Sequence, residues 1–244
     1  MNHETNLAVI IGVGASNGIG GALARQFAAK GAPVLLAGRT ESKLKTLADE
    51  IAAQGGKADM IVSDVTKAED VKAIFAKATQ IGPLGSVLYN AGNNAIIPFS
   101  DLTAKQFEQF WRVCCFGAFL TAKEAMPLLA QQGQGSFIVT GASGSMRGKA
   151  KFAHFASAKA ALRNLIQSLA REYGPAGVHC AHVIIDGVVN GDMVRNRFGE
   201  YLDQLGDEGA LDPNAIAETF WQIHQQPRSA WTQEIDLRPY KENW

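Results

Sequence analysis

Short apolar runs and longer stretches of helical periodicity alternate along this 244-residue chain, and that alternation limits its fold more than any other feature. Strand-like runs fall at "LAVII" (7–11), "PVLLAG" (33–38), "ADMIV" (58–62), "SVLYN" (86–90), "SFIVT" (136–140), "VHCAHVII" (178–185) and "EIDL" (234–237). Between them lie stretches such as 19–29, where Ile19, Leu23 and Phe27 recur with intervening alanines at three- and four-residue steps, and 43–54. Strands separated by helices pair in parallel through right-handed crossovers. Strands that are apolar almost throughout need cover on both faces. The expectation is an α/β fold: a doubly wound, seven-stranded parallel sheet with helices on both faces, in one domain over 1–244. The stretch 187–211, rich in Gly, Asn and Asp, is the least regular and is expected to be a lid loop over a substrate.

Composition narrows the class of partner. The 23 basic and 23 acidic residues balance, so charge calls for neither a nucleic acid nor a membrane surface. Cys114, Cys115 and Cys180 form no metal-ligand spacing and no even disulfide framework, which suits a reducing compartment. The first apolar run begins within seven residues of the start, without a basic segment and a long apolar stretch before it. No signal peptide or membrane span is expected, and a cytoplasmic location is.

The segment "IIGVGASNGIGGALARQF" follows the first strand and opens the first helix. Gly14, Gly18 and Gly20 let the backbone turn tightly and approach a pyrophosphate. Ser16, Asn17 and Ile19 lie in the same turn, before the amides of a helix N-terminus. A dinucleotide cofactor and a Rossmann-like arrangement are expected from this context. At the end of the second strand an acid would bond an adenosine ribose and repel a 2′-phosphate. The sequence there is Ala37-Gly38-Arg39-Thr40. A guanidinium beside a residue without a side chain suits a phosphate, and the Thr40 hydroxyl adds a donor. NADP(H) is therefore expected in preference to NAD(H).

With the glycine pattern, "SDV" (63–65) and "NAG" (90–92), the chain resembles the short-chain dehydrogenase/reductase family over essentially its whole length. The resemblance implies that Asp64 and Val65 lie near the adenine, and that Asn90, Ala91 and Gly92 steady the central sheet and line the cofactor cleft. It also implies a tyrosine as proton donor and acceptor, a lysine four residues later on the nicotinamide ribose, a serine thirteen residues before the tyrosine, and an asparagine on an earlier helix. Lys159 matches the lysine. Phe155 stands at the tyrosine position, Ala142 at the serine position and Cys114 at the asparagine position. After the sixth strand, Asp186, Gly187 and Gly191 occupy the segment where the family has a Pro-Gly turn and a threonine; Gly187 is placed at the cofactor.

Without the two hydroxyls the family's ordinary proton transfer is expected to be disabled, since a general acid contributes about 10²–10⁴ in rate and an oxyanion donor about 10²–10³. Ser143 adjoins Ala142 but reads as a loop serine capping backbone groups. His154 lies about 100° around its helix from Phe155 and is expected to face a neighbour or a subunit interface. Tyr201 and Asp203 could reach a substrate from the lid, and the two adjacent cysteines read as small buried residues. Two readings stay open: an NADP(H)-dependent oxidoreductase of a small molecule with unorthodox proton transfer, and an inactive NADP(H)-binding sensor or partner subunit. The helices at 104–130 and 152–172, with the tail through Trp244, are expected to build a homodimer or homotetramer.

Overall fold

A computed structural model describes residues 6–242; Trp244 of the expected docking tail lies outside them. The strands are β1 (Leu7–Ile11), β2 (Val34–Gly38), β3 (Ala58–Val62), β4 (Leu84–Tyr89), β5 (Ser136–Thr140), β6 (His179–Ile185) and β7 (Glu234–Leu237). They form a seven-stranded sheet, parallel throughout, in the order β3-β2-β1-β4-β5-β6-β7. Strand order reverses between β1 and β4. Crossovers leave that point on opposite faces, which opens a crevice at the carboxyl ends of the strands.

β1, β2, β4, β5 and β6 are buried at every position because both faces are covered, whereas the edge strands β3 and β7 are partly exposed. In β1, Ala8 and Ile10 pack with α1 (Ile19–Ala29), α2 (Glu41–Ala53) and α8 (Pro213–His224). Leu7, Val9 and Ile11 pack with α3 (Ala68–Ile81), α5 (Gly117–Gln132) and α6 (Ala153–Tyr173). The alternation is that of a strand whose side chains point to opposite faces. Phe27 shows the energetics of this packing. It is fully buried, edge-on to Trp221 of α8 with ring centroids 5.0 Å apart, and burying such a side chain contributes about 1.5–3 kcal/mol.

Two segments depart from the sequence reading. The region 104–130 is not one regular helix. It is α4 (Ala104–Trp111), a π-helical turn over Arg112–Phe116, and α5. Thr103 opens α4 with a capping box closed by Gln106. The stretch Ala104–Gln132 contains a part apolar and long enough to cross a membrane, but half of that part is buried, and Ala118, Ala122, Met126 and Leu129 belong to the core.

The second departure is the lid. Residues 187–211 are not a loop: they contain α7 (Asp192–Leu205). Only Leu202 of that helix is buried, and its backbone leaves helical geometry at Phe198 (φ −142°, ψ 39°). A helix with one buried position and a kink beside Gly199 gives no apolar stripe to read. Its two ends are tied together, Leu211 donating to the Val188 carbonyl and Asn190 to the Leu211 carbonyl, each at 2.8 Å.

Candidate active site

At the end of β1 the chain turns at Gly12, whose φ is +92°. That is a left-handed conformation, and a Cβ there would overlap the Ala91 backbone. Gly12 thus belongs to the turn, two residues before the glycine pattern read in the sequence. A Cβ on Gly14 would meet nothing within 4 Å, so this part of the turn presents bare backbone to open space. Gly18 is the N-cap of α1 and no side chain bonds the helix's first amides, which leaves donors for an anion. Gly20 is packing: a Cβ there would lie 2.9 Å from the Gly12 carbonyl oxygen, and Ile19 opens the helix.

The Ser16 hydroxyl is engaged by neighbouring side chains. It donates to Glu50 of α2 at 2.5 Å and accepts from Arg25 of α1 at 2.8 Å. The Asn17 carbonyl accepts from the Asp192 amide at 2.8 Å, so α7 starts on the glycine turn.

Beyond β2, Arg39 is exposed and Thr40 is the N-cap of α2 without a side-chain bond. Asp64, past β3, accepts from the Thr66 amide (3.0 Å) and hydroxyl (2.8 Å). Burial pushes its carboxyl up, but those two bonds with the charges of Lys67 and Arg39 outweigh it and hold it below the usual range. Val65 packs over the start of α5, 3.0 Å from where a Gly117 Cβ would stand.

The strand ends converge on Asn90. Its side-chain amide donates to the Gly12 carbonyl at 3.1 Å, and its side-chain oxygen accepts from the Thr140 hydroxyl at 3.0 Å. The Thr140 carbonyl in turn accepts from Lys159 Nζ at 2.7 Å. Lys159 is 4% exposed, and burial pushes its amine down. Beside it lie Gly92 and Cys114: a Cβ on Gly92 would be 3.6 Å from Nζ and 3.9 Å from Cys114 Sγ. The π-helical turn carries Cys114 inward, and the Tyr89 hydroxyl bonds the Val113 carbonyl at 2.6 Å. Cys115 is pushed up to about 11 by burial and its neighbour Cys114, so it is no ready nucleophile.

Phe155 is one helical turn before Lys159, with Nζ 5.8 Å from its ring centroid. Ala142, at the end of β5, is 9% exposed. The structure therefore brings Gly14, Asn90, Ala91, Gly92, Ala142, Phe155 and Lys159 to one edge. Gly187 follows β6, and a Cβ there would lie 2.6 Å from Pro239. Asp186 is buried in ion pairs with Arg147 (2.9 Å) and Arg238 (3.5 Å). His154 faces a neighbour: it is fully buried against the Phe110 ring of α4, centroids 4.1 Å apart. Tyr201 is exposed, and Asp203 pairs with Arg195 at 3.3 Å along α7.

One set of groups was not read from the sequence. His182 of β6 is fully buried; its Nδ1 lies 2.9 Å from Glu234 of β7 and its Nε2 3.3 Å from the Ser145 hydroxyl. Arg163 of α6 clamps Glu234 with bonds of 2.6 and 2.7 Å. Ser145, not Ser143, caps the backbone beside Ala142, accepting from its amide at 3.2 Å. A histidine inside an otherwise apolar strand was the available signal, since a buried polar group needs a partner.

A family model described as short chain dehydrogenase matches residues 8–201. The chain belongs to that family. A short-chain dehydrogenase from Rhodopseudomonas palustris has a similar structure, with 35% identity, a TM-score of 0.82, and 97% of this chain and 99% of that one covered. An alcohol dehydrogenase from the archaeon Thermococcus sibiricus, solved in complex with 5-hydroxy-NADP, gives 27% identity and a TM-score of 0.84 over 98% of each chain. A glucose 1-dehydrogenase of Gluconobacter oxydans is 30% identical over 183 residues, covering 74% of this chain and 69% of that protein. Nicotinamide cofactors are typical of short-chain dehydrogenases. The open backbone at Gly14, the free first-turn amides of α1 and the buried Lys159 amine fit such a cofactor along the crevice.

Proposed function

We propose that this short-chain dehydrogenase binds NADP(H) in preference to NAD(H) and exchanges hydride with a small-molecule substrate, at a site whose proton transfer does not use the family's tyrosine and serine. The supporting observation is Lys159, a buried amine held by the Thr140 carbonyl at the carboxyl edge of β5, on the same edge as the open glycine turn. The Gly14 and Gly18 backbone would hold the pyrophosphate, Asp64 and Val65 the adenine end, Arg39 and Thr40 a 2′-phosphate, and Asn90 and Lys159 the nicotinamide end. The bound cofactor supplies hydride exchange. The chain supplies position, a closed lid and a place for the proton.

Arg39 carries the choice between cofactors. Arg39→Ala is expected to weaken NADPH binding about 10–100-fold, the worth of a charge-assisted hydrogen bond of about 1.5–3 kcal/mol, and to leave NADH binding nearly unchanged. Calorimetry reads both. Equal weakening of the two would remove the phosphate role.

A second reading is favoured by the two missing hydroxyls: with Phe155 and Ala142 the chain would be an NADP(H)-binding sensor or partner subunit that turns nothing over. Transfer of deuterium from labelled NADPH to any substrate separates the two. For assembly we propose a homodimer or homotetramer through α4, α5 and α6. Trp111 (38% exposed) and Phe119 (41%) flank Phe116 in a stack with centroids 5.6 and 5.9 Å apart.

A further inference from the structure

The hydrogen bonds around His182 run in one direction. The Glu234 carboxylate accepts from Arg163 twice and can only accept from His182 as well, so the imidazole proton sits on Nδ1. Nε2 is then an acceptor, and the hydroxyl 3.3 Å away on Ser145 points its proton at it. Ser145 is itself held by the Ala142 amide at 3.2 Å. This is the serine–histidine–carboxylate logic of a base that draws a proton through a hydroxyl.

The turn that carries Ser145, itself 5% exposed, lies beside Lys159 and Phe155. Thr140, one end of it, holds Lys159. A Cβ on Gly141 would overlap the His182 ring, and a Cβ on Gly144 would lie 3.2 Å from the Phe155 ring. Glycine at 141 thus lets the imidazole sit directly under the backbone at Ala142. The far end of the network reaches solvent, the Glu234 and Arg163 side chains being 21% and 30% exposed.

We infer that Ser145, His182 and Glu234 form a proton relay that takes the hydroxyl proton of an alcohol substrate during its oxidation, the task for which Phe155 and Ala142 have no group. The inference rests on the oxidoreductase reading above. A bound oxidised nicotinamide is the hydride acceptor. As the substrate's C–H pair leaves as hydride, its O–H bond breaks and the proton passes to Ser145 Oγ. Ser145 gives its own proton to His182 Nε2, and the carbonyl C=O forms. Glu234 stabilises the resulting imidazolium, which loses its proton to water at the Glu234 edge.

The groups facing His182 are Glu234 on β7, Lys159 and Arg163 on α6, and Ser145. Burial pushes the imidazole down more strongly than Glu234 raises it, with Lys159 and Arg163 acting in the same direction as burial. His182 is therefore in its accepting form at neutral pH. Oxidation should fall as acid protonates it and stay level above neutrality, where a tyrosine base would still be gaining.

Two measurements on the full chain test the relay. Histidine ¹⁵N NMR at about pH 7.5 should show His182 neutral with its proton on Nδ1. With NADP⁺ and a panel of secondary alcohols headed by cyclohexanol, Ser145→Ala should lower the oxidation rate ~10²-fold or more. Its NADP⁺ dissociation constant should stay within about threefold of the parent's. Ser145→Thr should restore part of the rate, and the acid limb of the parent's pH profile should coincide with the NMR titration of His182. A proton on Nε2, a charged His182 at neutral pH, or a Ser145→Ala protein working at the parent rate would overturn the relay while leaving the oxidoreductase intact. A parent that binds NADP⁺ but oxidises none of the panel would instead sink the oxidoreductase reading and the relay with it.

Discussion

A Phe155→Tyr variant is expected to reduce carbonyl compounds with NADPH about 10²–10⁴ times faster than the parent chain, the contribution of a positioned general acid. Phe155 and Lys159 lie four residues apart on α6, hence on one face. The amine already stands 5.8 Å from the ring centroid, and the ring lies against Gly144. Phe155 is only partly buried, so a phenolic oxygen can be added without forcing the core apart. An ammonium nearby favours phenolate and lowers the phenol's pKa, which tunes the new group towards proton transfer. Loss of NADPH absorbance with a set of ketones and aldehydes measures the gain. An unchanged rate in a variant that still binds NADPH would mean that substrate oxygen does not sit at the Phe155–Lys159 edge.

Gly12→Val is expected to cost more than about 4 kcal/mol, enough to unfold a domain whose whole stability is about 5–15 kcal/mol. Two effects combine. The backbone there has φ +92°, which a β-branched residue resists, and the new Cβ would overlap the Ala91 backbone, which cannot retreat without breaking β4 from β1. Gly14→Ala, two residues on, meets nothing within 4 Å and should leave stability within about 1 kcal/mol. Urea unfolding of the pair reads the contrast. A Gly12→Val protein with the parent's midpoint would show that the turn is built differently.

The sheet was legible because its five inner strands are buried and mostly apolar, and the edge strands β3 and β7 keep short apolar runs although they are partly exposed. β1, β3, β5 and β7 begin and end where the runs do, and the others differ by a residue or two at an end. The helix α7 was not legible, since it buries a single residue and writes no stripe. The π-helical turn at 112–116 was hidden for another reason: one extra residue in a turn changes which side chains face inward without changing composition.

The relay is the instructive omission. Ser145, His182 and Glu234 are 37 and 52 positions apart in sequence, and no local pattern announces that β5, β6 and β7 set them side by side. Similarly, Ser143 looked like the hydroxyl beside Ala142 because it is next in sequence. The short turn at 143–145 instead folds Ser145 back onto the Ala142 amide. His154, about 100° around its helix from Phe155, faces a neighbouring element, the Phe110 ring of α4, as helical geometry suggests.

The most direct test of the account is calorimetric titration of the purified, folded protein with NADPH and, separately, with NADH. The account predicts tight NADPH binding and NADH binding weaker by about tenfold or more, the difference of one phosphate–guanidinium contact. Folded protein that binds neither nucleotide would contradict it, and the glycine turn, Asn90 and Lys159 would then be a scaffold without a cofactor.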